Sequence, residues 1–291
     1  DYNIIYDESA ETANSCRMDL SSWVSIINQS GASFNNATLK LIAGDVNRAQ
    51  PETRRRDVVY KMALAEADAA ESFAEKAFFE YHLYTLQRPA DLPDNSTKQL
   101  QLFPTARGVR CEKELVFAPT LDVPYYGYQQ LDQEYGRYGN GDVSVYLRFK
   151  NEESRQLGMP LPAGRIRVMQ QDPGDGSMEF IGEDVIDHTP KNEEVLIEMG
   201  NAFDVVGERK QTDFRVDVRS RNLWETFEIR LRNHKDEAVD VAVLENLYRS
   251  ANWKIEDASM KHDKVNSNRI RFDTHVPADG EVVIRYTAHY T

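Results

Sequence analysis

The 291-residue chain is short of positive charge, cysteine and long apolar runs, and each shortage excludes something. Lysine and arginine total 35 against 48 acids, a net charge of −13. That field repels phosphates, so neither nucleic acid nor anionic lipid is an expected partner. The one basic run, Arg54-Arg55-Arg56, follows Pro51 in a polar stretch and reads as a solvated loop. No run of about 18 apolar residues occurs, so no transmembrane helix is expected. A basic-then-apolar leader is also missing. The opening Asp1-Tyr2-Asn3-Ile4-Ile5-Tyr6 reads as the inside of a strand, which predicts a processed or truncated chain whose first unit lacks an upstream strand. Cys16 and Cys111 are the only cysteines, and a pair this sparse fits either buried thiols or one disulfide in an oxidising compartment.

Catalytic patterns are missing too. Among the six histidines, His82, His188, His234, His262, His275 and His289, none stands two or four residues from another, the spacings that converge imidazoles on a metal. Glu183, Asp184, Asp187 and His188 cluster locally, and a charged connection explains them as well as a cation does. Asp172 and Asp175 lack the twelve-residue calcium loop with its terminal bidentate glutamate and read as turn residues. No Gly-x-Ser-x-Gly elbow, protease-like cysteine or phosphate loop appears. The expectation is no enzyme, no cofactor and no metal. A glycosidase carboxylate pair depends on separation in space, which 48 acids leave open.

What is present is strand. Val143, Val145, Leu147 and Phe149 alternate with polar neighbours, as do Phe227, Ile229 and Leu231, then Val239, Val241 and Val243, then Val282, Ile284 and Tyr286. Asp172-Pro173-Gly174-Asp175-Gly176 and Ala278-Asp279-Gly280 supply turn residues. Three strands end alike, at Asn28, Asn151 and Asn233, each passing through a polar turn into another apolar run. Val58 to Lys76 has high helix propensity and a weak apolar stripe, so about 50–72 reads as a short helix or mobile insertion, with strand resuming over Phe78 to Leu86. These signals predict an all-β chain of antiparallel β-sandwich architecture. Its expected division is a first unit over 1–121, a Gly/Tyr-rich linker over 122–141 and a second sandwich over 142–291.

Tyr125, Tyr126, Tyr128, Tyr135 and Tyr138 crowd the linker candidate. Amphipathic rings on a loop make contact surfaces for sugars or proteins, and they also pin crossing segments to sheet faces. Trp23, Trp224 and Trp253 sit in strand-like runs and read as core residues.

Two long stretches resemble the bacterial family named domain of unknown function 4139. One runs from Asp19-Leu20-Ser21-Ser22-Trp23-Val24 through Asn28-Gln29-Ser30-Gly31 to Ala43-Gly44-Asp45-Val46-Asn47-Arg48. The other runs from Leu157-Gly158-Met159-Pro160 through Phe180-Ile181-Gly182 and Asp187-His188-Thr189-Pro190 to Arg232-Asn233-His234-Lys235. The resemblance implies an extracytoplasmic, β-rich protein and brings no catalytic residues. Cys16, Cys111 and the tyrosines fall outside its motif positions.

The sequence therefore points to a non-catalytic structural or interaction protein of the cell envelope or surface, contacting copies of itself or another envelope component. The competing reading is a polysaccharide-binding protein or hydrolase using the acids and tyrosines near 122–142.

Overall fold

A computed structural model describes residues 1–8, 14–44, 67–68, 73–120, 123–124, 126–137, 139 and 141–291. The described chain is all-β, and no helix in it is long and apolar enough to cross a membrane. The strands of the first part are β1 (Tyr2–Glu8), β2 (Ser15–Asn28), β3 (Phe34–Ala37), β4 (Lys40–Ala43), β5 (Ala67–Asp68), β6 (Phe73–Phe78), β7 (Tyr81–Leu86), β8 (Ala90–Leu92) and β9 (Ser96–Phe117). Then come β10 (Asp142–Lys150), β11 (Gly164–Gln171), β12 (Met178–Ile186), β13 (Glu194–Asp217), β14 (Asn222–Asn233), β15 (Val239–Asn246), β16 (Trp253–Ala258), β17 (Asp263–Asn266), β18 (Arg269–Val276) and β19 (Gly280–Tyr290).

Two compact units emerge, but not by division at 122–141. Unit 1 comprises Asp1–Ala10, Ser15–Cys111 and Arg148–Ile197, and unit 2 comprises Glu11–Asn14, Glu112–Leu147 and Glu198–Thr291. The boundaries fall inside β9, β10 and β13, strands long enough to serve both units, and the Gly/Tyr-rich stretch belongs wholly to unit 2. A composition shift could not mark such a boundary, because an alternating strand reads the same on either side of it.

In unit 1 the main sheet runs β12, β11, β1, β2 and the first part of β9. β1 pairs antiparallel with β2 and parallel with β11, so both its edges are filled, and the strand expected from upstream has no open place beside it. Its inward residues Tyr2 and Ile4 pack with Met18, Leu20, Ile166 and Val168, all buried. Cys16 and Cys111 form a disulfide with Cα atoms 4.9 Å apart, joining β2 and β9, which are neighbours in this sheet. A second sheet, β4-β7-β6, belongs to the same unit.

Unit 2 is a two-layer sandwich. One layer runs β13, β14, β19 and β16, and the other pairs β15 with β18 and β18 with β17. Phe227, Ile229, Leu231, Ile284 and Tyr286 from the first meet Val241, Val243, Ile270, Phe272 and Val276 from the second in one core. Three of the four alternating runs read from sequence are β14, β15 and β19 of this sandwich, and the fourth is β10.

The three asparagines that end strands share one role. Asn28 donates its side-chain amide to the carbonyls of Ala32, Leu92 and Pro93. Asn151 does the same to Met159, Thr189 and Pro190, and Asn233 to Glu237, Val276 and Pro277. Each side-chain oxygen accepts a backbone N–H from the turn that follows, of Ser30, Gly158 or Lys235. One amide thus ties a strand end to its own turn and to an X-Pro carbonyl pair, and all three asparagines are buried. The motif repeats three times at spacings of different length, which kept it from reading as a sequence repeat. Replacing Asn233 by alanine strands buried carbonyls and is expected to cost about 2–3 kcal/mol in urea unfolding. Asn233→Asp, which puts a carboxylate against the same carbonyls, should not rescue it. A loss below about 0.5 kcal/mol would show the corner to be dispensable.

Several expectations are corrected. Residues 73–76, at the end of the helix candidate, are strand β6, and most of 50–72 lies outside the described residues. The run from Phe78 to Leu86 is not one strand, because Phe79 and Glu80 form a hairpin turn with Phe79 at φ 60°. The tryptophans are only half-buried. Trp224 lies on the outer face of β14, stacked on His289 at 4.5 Å with the Arg215 guanidinium 4.2 Å from its ring, while its neighbour Glu225 takes the inward position.

Candidate functional site

The candidate site is the tyrosine loop of unit 2, and its geometry starts from that inward glutamate. Along β14 the side chains of Leu223, Glu225, Phe227, Ile229 and Leu231 share one buried face, so alternation forces a carboxylate into the core. Along β15 the same phase carries Val239, Val241, Val243 and Glu245. A buried charge persists only when paired. Arg249 Nε lies 2.7 Å from Glu225 Oε1, and Arg209 Nε lies 3.0 Å from Glu245 Oε2, with all four side chains 0–1% exposed. Gln211 donates to Glu225 Oε1 at 2.9 Å, and the Tyr286 hydroxyl donates to Glu245 Oε2 at 2.5 Å. Among the described residues Glu225 Oε2 has no hydrogen-bond partner.

Burial pushes both carboxyls up, and their arginines oppose it. Burial is the largest single influence on Arg209 and disfavours its charge, but the Glu245 carboxylate together with Tyr286 and Tyr248 outweighs it and holds the guanidinium firmly protonated. The Tyr248 hydroxyl, between the two pairs, is pushed by burial up to about 12.

The remaining guanidinium donors go to the loop. Arg249 Nη1 donates to the carbonyls of Gln130 (3.0 Å) and Asp132 (2.6 Å), and Nη2 to those of Gln133 (3.3 Å) and Tyr135 (2.9 Å). The Gln130 N–H returns a bond to the Arg249 carbonyl. Arg209 and the Tyr248 hydroxyl both donate to the Gly136 carbonyl at 3.0 Å. Gly136 has φ +66° and sits against the Tyr248 ring, where a Cβ would come within 2.4 Å. Glycine is the residue that fits there.

On this anchored backbone the tyrosines form a ladder. Tyr128 packs on Tyr126 at 6.2 Å, Tyr126 on Tyr135 at 5.9 Å, and Tyr135 edge-on to buried Tyr248 at 5.7 Å. The Tyr135 hydroxyl donates to the Pro124 carbonyl. Tyr126 and Tyr128 are 57% and 64% exposed, so the outer rungs present apolar faces and hydroxyls to solvent from a fixed backbone. The structure thus brings Tyr126, Tyr128 and Tyr135 together; Tyr125 and Tyr138 lie outside the described residues.

The loop acids are engaged locally: Asp132 accepts the Glu134 N–H, and Glu134 pairs with Arg137 at 2.6 Å. Asp172 and Asp175 accept backbone N–H groups of Gly174 and Ser177, as turn residues do. Glu183 pairs with Arg165, and His188 accepts the Ala163 N–H. No cluster of metal-ligating side chains occurs among the described residues.

Sequence reading missed Arg209, Glu225, Glu245 and Arg249. The signal was there for three of them, since Arg209, Glu225 and Glu245 stand in phase with the buried residues of alternating strands. Arg249 follows β15 and carries no periodic mark. Comparison with family models, curated proteins and solved structures finds no match to the chain.

Proposed function

We propose that this protein is a non-catalytic interaction module of the cell envelope or outer surface, and that the tyrosine loop is its contact surface. The observation that carries the reading is the anchorage: four loop carbonyls are held by one fully buried arginine while Tyr126 and Tyr128 stay exposed. A pre-ordered aromatic surface loses little entropy on binding, which is how tyrosine-rich loops gain affinity. The disulfide and the resemblance to domain of unknown function 4139 favour an extracytoplasmic setting. The partner is another copy of the chain or another envelope component, a polysaccharide included.

A hydrolase reading is less favoured. Among the described residues the loop acids Asp132 and Glu134 face loop backbone or Arg137, and the cavities of about 600, 460 and 250 Å³ are lined by unit 1 residues. Paired carboxylates for glycoside hydrolysis flank a bound sugar in a cleft.

The double variant Tyr126→Ala/Tyr128→Ala tests the proposal. Both side chains are exposed, so melting should stay within about 0.5 kcal/mol of wild type. Self-association by sedimentation, and binding to purified cell-wall polysaccharide, should weaken by about tenfold or more in whichever assay the wild type is positive. Unchanged association and unchanged binding would remove the loop from the function.

A further inference from the structure

We propose a second binding site, in unit 1, that takes a neutral saccharide. Two adjoining cavities of about 460 and about 250 Å³ share Ala43, Gly44, Tyr84, Pro162 and His188 as lining, and together form one groove. The larger is of the size that small-ligand sites have. Its floor is the Pro160–Pro162 segment, held by two buried tyrosines: Tyr2 donates its hydroxyl to the Pro162 carbonyl at 2.6 Å, and Tyr84 to that of Pro160 at 2.8 Å. Half-buried Trp23 lines the larger cavity, and His82 and Glu80 line the smaller.

The two histidines define the ligand. His188 Nδ1 accepts the Ala163 N–H at 3.1 Å, so in the neutral ring the proton sits on Nε2, which is a donor. His82 Nδ1 lies 2.8 Å from the Glu75 carboxylate, which only accepts, so that nitrogen carries the proton and Nε2 of the neutral ring is an acceptor. One groove therefore offers an imidazole donor and an imidazole acceptor. A hydroxyl group satisfies both kinds, and the Trp23 indole, which lines the larger cavity with His188, is of the kind that stacks on the apolar face of a sugar ring. Neither cavity is lined by a lysine or arginine side chain among the described residues, and Glu80 adds negative charge, which disfavours an anionic ligand. Joint metal ligation is disfavoured as well: His188 could free Nε2 only by placing its proton on Nδ1, against the Ala163 N–H.

Calorimetric titration of the full chain with cellotriose, maltotriose and triacetylchitotriose, with trigalacturonate and zinc as controls, tests the assignment. At least one neutral trisaccharide should bind saturably, and trigalacturonate and zinc should not. His188→Leu and Trp23→Ala should each weaken that binding by about tenfold or more, His188→Gln, which keeps a donor, by less. Melting curves confirm that each variant folds, and exposed His188 makes its replacement the cleaner probe. Tyr126→Ala/Tyr128→Ala should leave trisaccharide affinity unchanged, which separates failure of this site from failure of the tyrosine loop. The proposal is overturned if no neutral trisaccharide binds, if His188→Leu binds as wild type does, if trigalacturonate binds most tightly, or if zinc binds in a manner lost with His82→Ala or His188→Ala.

Discussion

Arg249→Met is expected to destabilise unit 2 by about 3–5 kcal/mol, the usual cost of removing one partner from a fully buried ion pair. Glu225 would be left charged in the core with one oxygen already lacking a partner, so the loss comes mainly from the stranded carboxylate. The companion variant Glu225→Leu/Arg249→Met removes both charges and should recover most of that stability, because well-packed apolar side chains replace such pairs at little or no cost. It should not recover the loop. The carbonyls of Gln130, Asp132, Gln133 and Tyr135 lose their donors in both variants, so chymotrypsin should cut at Tyr126 and Tyr128 faster than in wild type. Urea unfolding and limited proteolysis measure the two effects separately. A single-variant cost below about 1 kcal/mol, or an uncut loop in the double variant, would mean that Arg249 is not the anchor.

Reduction of Cys16–Cys111 is the other large effect. The two cysteines are 95 residues apart, and in the chain-entropy model closing a loop of that length stabilises by up to about 4–5 kcal/mol. Both cysteines belong to unit 1, Cys111 as its last residue in β9, so the melting of unit 1 should fall further than that of unit 2. Each is no more than 3% exposed, so mild reductant should leave the bond intact until unit 1 opens. Non-reducing mass spectrometry should find one linked peptide, and calorimetry with and without reductant gives the shift. Coincident melting of the oxidised and the mass-verified reduced protein would show that the bond does not support the fold.

The sites differ in how far they could be read ahead of the fold. Tyr126, Tyr128 and Tyr135 stood out because aromatic residues on a glycine-rich stretch are unusual, and they do form one cluster. Their support did not stand out. Glu225 and Glu245 each interrupt an apolar face, but an acid in a strand is more often a sign of the solvent side, and only the register of β14 and β15 shows which side it is. The groove of unit 1 is further from view, since Trp23, His82, Pro160 and His188 are scattered over more than 160 residues.

By itself the sequence determined that the chain is all-β, because period-two alternation writes the strand directly into residue order, and it marked Asn28, Asn151 and Asn233 as strand ends. It also excluded a membrane-spanning helix from the described chain, through the lack of a long apolar run. The tertiary structure decided everything that depends on which strands become neighbours. It set Cys16 beside Cys111, filled both edges of β1, and carried β9, β10 and β13 from one unit into the other where a linker was expected. The physical reason is that alternation records only which face of a strand is dry. It is silent on partner and register, and in a sheet protein those place one residue against another far along the chain.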